Sequence, residues 1–249
     1  MNPYSHAVVA ARLESLVKPE DRNDYYWGAI VPDIRYLMDM QRQQTHIPSE
    51  RIVELISQYP HLKSFLLGYL VHCLSDELDL SEIFCQHLPF SILRSKLSRQ
   101  HIAVILELFY FEHEKVDAGI SGMYNEVLSG LGVDEAVSNT LAHSIGQYLM
   151  VAPAGDRLSK LFRLLGSKNN TQIEKYVKAA VGFQENWLLR NALFLGIRTG
   201  KISEKIVSET AALLATVQAK QLSESVFSKS TLGGATPAGR FVSAQRDGG

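Results

Sequence analysis

Two histidine–aspartate pairs with the same spacing are the residues of this sequence best suited to chemistry. His72 and Asp76 are four residues apart, and so are His113 and Asp117. On a helix, four residues make slightly more than one turn, so the imidazole and the carboxylate of each pair project from one face. One such pair is usually an ordinary hydrogen bond, but it can also bind a metal ion. Two pairs on helices that pack together predict a site for two ions.

The sequence around the two pairs differs in polarity. His72 lies within an apolar stretch over residues 70–74, and an ionised Asp76 on such a helix would be costly unless it were paired or metal-bound. His113 stands between two glutamates, which indicates a partly solvated face. The first pair is therefore the stronger candidate for a buried metal site.

Three more candidate ligands lie upstream of the first pair. Asp33 directly follows Pro32 at the end of a Gly-Ala-Ile-Val-Pro-Asp run, where the proline restricts the backbone. His46 comes thirteen residues later, again close to a proline, and His6 lies at the start of the first predicted helix. Together they add two imidazoles and one carboxylate to the possible site.

The order and spacing of these residues resemble those of the bacterial zinc-dependent phospholipase C family and the related fungal single-strand nucleases. The resemblance covers roughly residues 1–120. It is carried by His6, the run ending at Asp33, His46, the Gly-Tyr-Leu-Val-His-x-x-x-Asp stretch over 68–76, and His113-x-x-x-Asp117. The resemblance implies an all-α fold with a cluster of two or three zinc ions.

The resemblance also implies how the ligands would be divided among the ions. Asp33, His46, His72 and Asp76 would bind one zinc ion. Asp76 would bridge to a second ion, which His6 would also bind.

A further ion would be bound by His113 and Asp117. The family's additional histidine at that site falls at position 82, where this sequence has Glu82. A carboxylate can ligate zinc, so Glu82 is expected to replace the histidine. Met1 stands where the family's secreted enzymes present a processed N-terminal tryptophan.

The chemistry that the resemblance implies is metal-assisted hydrolysis of a phosphoester. A zinc ion lowers the pKa of its bound water from about 15.7 to about 7, which supplies hydroxide at neutral pH. Asp33 would orient or deprotonate the attacking water. Arg35 could contact a phosphate oxygen, although a solvated loop arginine is an equal alternative. Phospholipid and nucleotide-type substrates both fit, and nucleic acid is disfavoured because no basic, aromatic-rich groove is visible.

Two other interpretations compete with a hydrolase. A non-catalytic binding or scaffold protein could keep the fold and the metal but lack activity, and Glu82 together with the missing tryptophan favours it. An HD-type phosphohydrolase would also be helical and metal-dependent. It would need adjacent histidine and aspartate residues, and no histidine of this sequence is followed directly by aspartate.

The elements that carry these residues are predicted to be helices. Apolar residues recur with a helical period over 5–17 and 134–150, and a capping box starts a helix at Thr171. The strongly apolar segment over 61–80, which opens after Pro60, predicts a buried helix. The candidate ligands would thus be held by packed helices and the turns between them.

The whole chain is predicted to form one all-α, multi-helix domain over 1–222, because no alternating strand pattern of useful length occurs. The metal ligands fall within 1–120, and helices continue over 121–222. From about residue 223 the composition shifts to serine, glycine, threonine, alanine and proline, which predicts a flexible tail over 223–249.

Composition limits the possible partners and the cellular compartment. The 249 residues include 25 basic and 26 acidic side chains, so no global charge favours nucleic acid or anionic membranes. Two cysteines cannot form a disulfide framework, and the N-terminus lacks the features of a signal peptide. No apolar stretch reaches the roughly 20 residues that span a bilayer. These features predict a cytoplasmic protein, and the resemblance implies a small phosphoester or phospholipid as its substrate.

Overall fold

The described part of this protein is entirely helical. The structure is a computed structural model, and it describes residues 2–35, 40–88, 97–117, 119–150, 182 and 186–232. The helices are α1 (Pro3–Val17), α2 (Arg22–Ile30), α3 (Arg42–Thr45), α4 (Ser49–Gln58), α5 (Lys63–Glu77), α6 (Leu80–His87), α7 (Arg99–His113), α8 (Glu126–Gly130), α9 (Glu135–Met150), α10 (Trp187–Thr199) and α11 (Ile202–Leu232). Within these ranges there is no strand, so the predicted all-α fold is confirmed.

The central element is α5, the helix predicted from the apolar segment after Pro60. It is buried from Ser64 to Asp76 except at Leu67, and it packs against α1, α2, α4 and α11. A helix that is apolar on nearly every side must be surrounded in this way. Polar residues on it, including His72 and Asp76, are therefore held inside the molecule.

The crossing of α2 and α5 is unusually close because each helix has a glycine at the contact. A Cβ atom on Gly28 would lie 1.9 Å from the Phe65 carbonyl oxygen, and one on Gly68 would lie 1.9 Å from the Tyr25 carbonyl oxygen. The two backbones therefore touch directly. This contact brings the C-terminal end of α2 against the middle of α5.

The turn after α2 places the first upstream carboxylate. Helix α2 ends at Ile30, and a 3-10 turn over Val31–Ile34 follows it. Pro32 lies within this turn, close to the predicted helix end, although Val31 before it keeps a helical backbone conformation. Asp33 is thereby buried beside α5.

The second half of the chain is described in part. Helix α9 confirms the helix predicted over 134–150. The helix predicted to start at Thr171 lies outside the described residues. Helix α11 continues to Leu232, past the predicted start of the tail at 223, and residues 233–249 lie outside the described residues. None of the described helices is both long enough and apolar enough to cross a membrane.

Candidate metal centre

Five of the predicted ligands meet in one buried cluster. His6 comes from the first turn of α1, Asp33 from the 3-10 turn, His46 from the residue that ends α3, and His72 and Asp76 from α5. His6 and His72 are fully buried, and the other three side chains are at most 8% exposed. We call these five residues the His/Asp cluster.

The polar atoms of the His/Asp cluster lie within ligand distance of one another. His46 Nε2 is 3.1 Å from Asp76 Oδ2 and 3.3 Å from His72 Nε2. His6 stacks on the His72 ring at 3.7 Å between centroids, and its Nε2 is 3.5 Å from Asp76 Oδ1 and 3.9 Å from Asp33 Oδ2.

Two overlapping sets of three residues could each hold a metal ion. One set is His6, Asp33 and His72, and the other is His46, His72 and Asp76. In each set the ligand atoms all lie within 4.8 Å of one another. Buried histidines and aspartates of this protein can therefore bind a metal ion.

Hydrogen bonds outside the cluster determine which nitrogen of His72 faces it. His72 Nδ1 lies 2.8 Å from the Ala29 carbonyl oxygen, which can only accept, so Nδ1 carries the proton and donates. Nε2 then presents a bare lone pair to the interior. The carbonyl is within reach because of the close α2–α5 crossing.

A hydrogen bond with Ser75 orients His6 in a similar way. The Ser75 hydroxyl donates to the His72 carbonyl at 2.9 Å, which leaves its oxygen to accept from His6 Nδ1 at 3.2 Å. His6 Nε2 is therefore also unprotonated, and it points toward the Asp33 and Asp76 carboxylates. Partners of this kind fix the ligand atom of metal-binding histidines.

The cluster leaves buried acceptors without any donor. His6 Nε2 and both carboxylate oxygens of Asp33 are buried and have no hydrogen-bond partner. Buried polar atoms are normally paired, and lone pairs that face one another repel. A cation between them would satisfy all three atoms, so these residues fit a bound metal ion.

The protonation states of the imidazoles also suit a cation. Burial lowers the pKa of His6, of His46 and of His72, in the last case to about 3. All three rings are thus neutral near neutral pH, which is the form that binds metal.

The two carboxylates differ from each other. Burial alone would raise the pKa of Asp76, but the hydrogen bond with His46 contributes to holding it well below its usual value. Burial and the negative charge of Asp76 raise the pKa of Asp33 to about 7. Asp76 is therefore the permanent anion of the cluster, and Asp33 is the group whose proton is readily exchanged.

Three arginines lie beside the two carboxylates. Arg35 Nη2 is 3.7 Å from Asp33 Oδ1, in agreement with its predicted place near the site. Arg42 Nη2 donates to the Asp76 carbonyl oxygen at 3.1 Å and lies 3.3 Å from Asp76 Oδ2. Arg99 Nη2 donates to the same carbonyl oxygen at 3.1 Å. Sequence reasoning missed the last two because no spacing rule links them to Asp76.

The second histidine–aspartate pair does not join the cluster, which corrects the expectation that both pairs share one interior. Helix α7 ends at His113, so Asp117 lies beyond the helix and the two side chains do not share a helical face. Both residues are exposed. The His113 ring instead packs edge-on against Phe109 and Phe194, with centroids 4.7 and 5.6 Å apart.

Glu82 is also outside the cluster. It lies in the first turn of α6, is exposed, and accepts a hydrogen bond from Gln86 at 2.9 Å. The first turn of a helix favours an acidic side chain, which accounts for a glutamate there without a metal. The residues predicted for a further ion are thus not assembled.

A buried acid that sequence reasoning missed anchors the helix of His6. Glu107 of α7 accepts from the backbone N–H groups of Tyr4 and Ser5 at 2.9 and 2.8 Å, and also from the hydroxyls of Ser5 and Tyr148. Burial raises the pKa of Glu107, while these donors act to lower it. The only sequence signal was a lone acid inside the apolar half of the segment over 101–120.

Comparisons with protein-family models, with curated proteins and with solved structures give no match to this chain. Membership in the zinc-dependent phospholipase C family therefore stays a prediction that rests on the residues named above.

Proposed function

We propose that this protein is a zinc-dependent hydrolase of phosphoesters that acts on a phospholipid or nucleotide-type substrate. The observation that carries the proposal is the convergence of the unprotonated Nε2 atoms of His6 and His72 with the Asp33 carboxylate, whose oxygens have no hydrogen-bond partner. A cluster of this kind has no evident purpose in a metal-free core, because hydrophobic residues would fill the space at lower cost.

Zinc is favoured by the type of donor and by the donor spacing. Imidazole nitrogens and carboxylate oxygens are common zinc ligands, and two ligands at about 2.0–2.1 Å from a tetrahedral ion lie ~3.3 Å apart. The separations of 3.3 Å between His46 and His72 and 3.1 Å between His46 and Asp76 are close to that value. One ion would be held by His46, His72 and Asp76, or by His6, Asp33 and His72, because the two sets share His72.

When bound, zinc would supply a hydroxide nucleophile at neutral pH and would polarise a phosphoryl oxygen. Asp33 is the better proton acceptor of the two carboxylates, because its pKa of about 7 lies near the operating pH. Arg35 would orient the phosphate next to Asp33, since its guanidinium already lies 3.7 Å from that carboxylate. The burial of the cluster limits access of bulk water to these groups.

The proposal is tested by matched alanine variants of the two histidine–aspartate pairs. We expect purified wild type to contain at least one zinc ion per chain by elemental mass spectrometry and to hydrolyse a chromogenic phosphoester. Asp76→Ala should lose bound metal and at least ~100-fold of activity. Asp117→Ala, in the exposed pair, should keep both. Wild type that binds no metal, or equal effects of the two variants, would refute the proposal.

A non-catalytic metal-binding protein is the second candidate. The near-complete burial of all five residues favours it, because structural metal sites are closed whereas catalytic sites keep an open position. It predicts stoichiometric metal with no turnover of any phosphoester, and it predicts loss of folding stability when the metal is removed.

A further inference from the structure

We propose that Arg42 and Arg99 form an anion subsite at the rim of the His/Asp cluster, and that the group recognised there is a terminal phosphate with two negative charges. The inference rests on the proposed function and narrows its substrate class to phosphomonoesters. It depends on the placement, exposure and charge of these two arginines.

The two guanidinium groups converge although their helices are distant in sequence. Arg42 begins α3 and Arg99 begins α7, yet both Nη2 atoms lie 3.1 Å from the same carbonyl oxygen of Asp76. Two guanidinium groups on one acceptor must lie close to each other. Each has five N–H donors in a planar fork, the arrangement that binds phosphate oxygens in pairs.

Capping of α5 accounts for only part of this arrangement. The Asp76 carbonyl lies in the last turn of α5, where carbonyl groups lack helical partners and favour a cationic side chain. One arginine would satisfy that carbonyl. A second guanidinium at the same oxygen brings two like charges together, which is costly unless an anion offsets them.

The two arginines are open to solvent although the residue that they contact is buried. The Arg42 side chain is 39% exposed and Arg99 is exposed, whereas the Asp76 side chain that they contact is 4% exposed. A ligand that approaches Asp76 from this side meets the guanidinium groups first.

The charge balance favours a dianion over a monoanion. Arg35, Arg42 and Arg99 lie beside the two carboxylates of Asp33 and Asp76, which leaves one positive charge in excess. A divalent cation would add two positive charges to this excess. Glu77 is exposed and interacts electrostatically with Arg42, so its carboxylate offsets one of these positive charges. A phosphodiester carries one negative charge, while a phosphomonoester carries nearly two above its second pKa of about 6.

The test compares two ligands that differ in charge but hardly in shape. Calorimetric titration of the zinc-loaded protein at about pH 8 would use methyl phosphate, a dianion there, and dimethyl phosphate, a monoanion. We expect wild type to bind methyl phosphate at least ~10-fold more tightly, and Arg42→Ala and Arg99→Ala each to weaken that binding by ~10–100-fold, the range of a charge-assisted hydrogen bond.

Two further variants make the result decisive. Arg51→Ala, which removes an exposed arginine paired with Glu54, should leave both affinities unchanged. The double variant Arg42→Lys and Arg99→Lys keeps the charge but loses the fork, so it should fall between wild type and the alanine variants. The double-lysine variant also tests the subsite if the alanine variants do not fold. A double-lysine protein that bound methyl phosphate with wild-type affinity would overturn the inference.

The experiments distinguish a failure of the anion subsite from a failure of the proposed hydrolase function. Equal affinities for the two ligands in wild type, or an unchanged preference in folded, zinc-loaded arginine variants, would overturn the subsite whatever the activity. Absence of turnover with a retained, arginine-dependent preference would refute the hydrolase and leave the subsite in place.

Discussion

The nitrogen that each buried histidine offers to a cation depends on the partner of its other nitrogen. For His6 that partner is Ser75, whose hydroxyl is committed as a donor to the His72 carbonyl. For His72 it is the Ala29 carbonyl, fixed by helix packing. One small side chain thus controls one ligand, and the backbone controls the other.

We expect Ser75→Ala to weaken metal binding without a large loss of stability. The variant removes the acceptor for His6 Nδ1, so the ring can rotate or change tautomer, and loss of such a partner typically costs about 10–100-fold in metal affinity. Chelator competition would measure the affinity, and urea unfolding would measure stability. Ser57→Ala, at an exposed site on α4, is the control. An affinity within about twofold of wild type would show that Ser75 does not orient His6.

At the scale of helices, the position of the cluster depends on the α2–α5 crossing. We expect Gly68→Ala to destabilise the protein by ~3 kcal/mol or more, because the added methyl group meets the Tyr25 carbonyl and backbone atoms of Ala29. It should also weaken metal binding, since Ala29 and the following turn would move away from His72. Urea unfolding and chelator competition would measure the two effects.

Gly130→Ala is the matched control for the crossing. A methyl group on Gly130 meets nothing within 4 Å, so this variant should be neutral or slightly stabilising. If Gly68→Ala retained wild-type stability and metal affinity, the close approach of the two backbones would not be what places the cluster.

Local spacing predicted one histidine–aspartate pair correctly and the other wrongly, for a physical reason. His72 and Asp76 share a face because α5 continues through both residues, whereas α7 ends at His113 and leaves Asp117 outside. Sequence spacing does not show where a helix stops. Nor does it show where burial stops along a helix: residues 102–110 of α7 are buried, whereas His113 is exposed.

Contacts between distant segments were beyond prediction from the residues alone. The close crossing of α2 and α5 depends on two glycines, and neither one by itself indicates a helix contact. The convergence of Arg42 and Arg99 on Asp76 likewise depends on how α3 and α7 pack against the end of α5. The types of ligand could be predicted from the sequence, but their arrangement depends on how the helices pack.

Considered as a whole, the His/Asp cluster ties together parts of the chain that are far apart in sequence. It joins α1, the turn after α2, the end of α3 and α5, while Glu107 connects α1 to α7 and α9. A ligand that binds only the folded state adds about 2.7 kcal/mol of stability at a free concentration 100 times its Kd. Metal binding and global stability should therefore be coupled.

The Asp33 carboxyl should make its own pH-dependent contribution to the stability of chelator-treated protein. This contribution opposes that of the three buried imidazoles, whose lowered pKa values make stability rise as the pH approaches their ordinary value of 6.5. Asp33 has a folded pKa of about 7 and an ordinary value of 3.8, so the folded state holds this proton more tightly than the unfolded chain does. The Asp33 contribution to stability then falls as the pH rises from 3.8 to about 7 and changes no further above that range. Since one pKa unit equals about 1.4 kcal/mol, we expect wild type to lose ~1–3 kcal/mol relative to Asp33→Asn between about pH 5 and pH 7 in urea unfolding.

Asp33→Asn and metal loading separate this effect from other titrations. The asparagine variant cannot ionise, so its chelator-treated form should keep the pH dependence caused by the imidazoles and lack the opposing contribution of Asp33. Bound zinc favours the ionised carboxylate and should remove the Asp33 contribution in wild type, because the cation compensates the charge that burial disfavours. If the stabilities of wild type and Asp33→Asn changed in parallel over this pH range, Asp33 would not be the buried group that the cation neutralises.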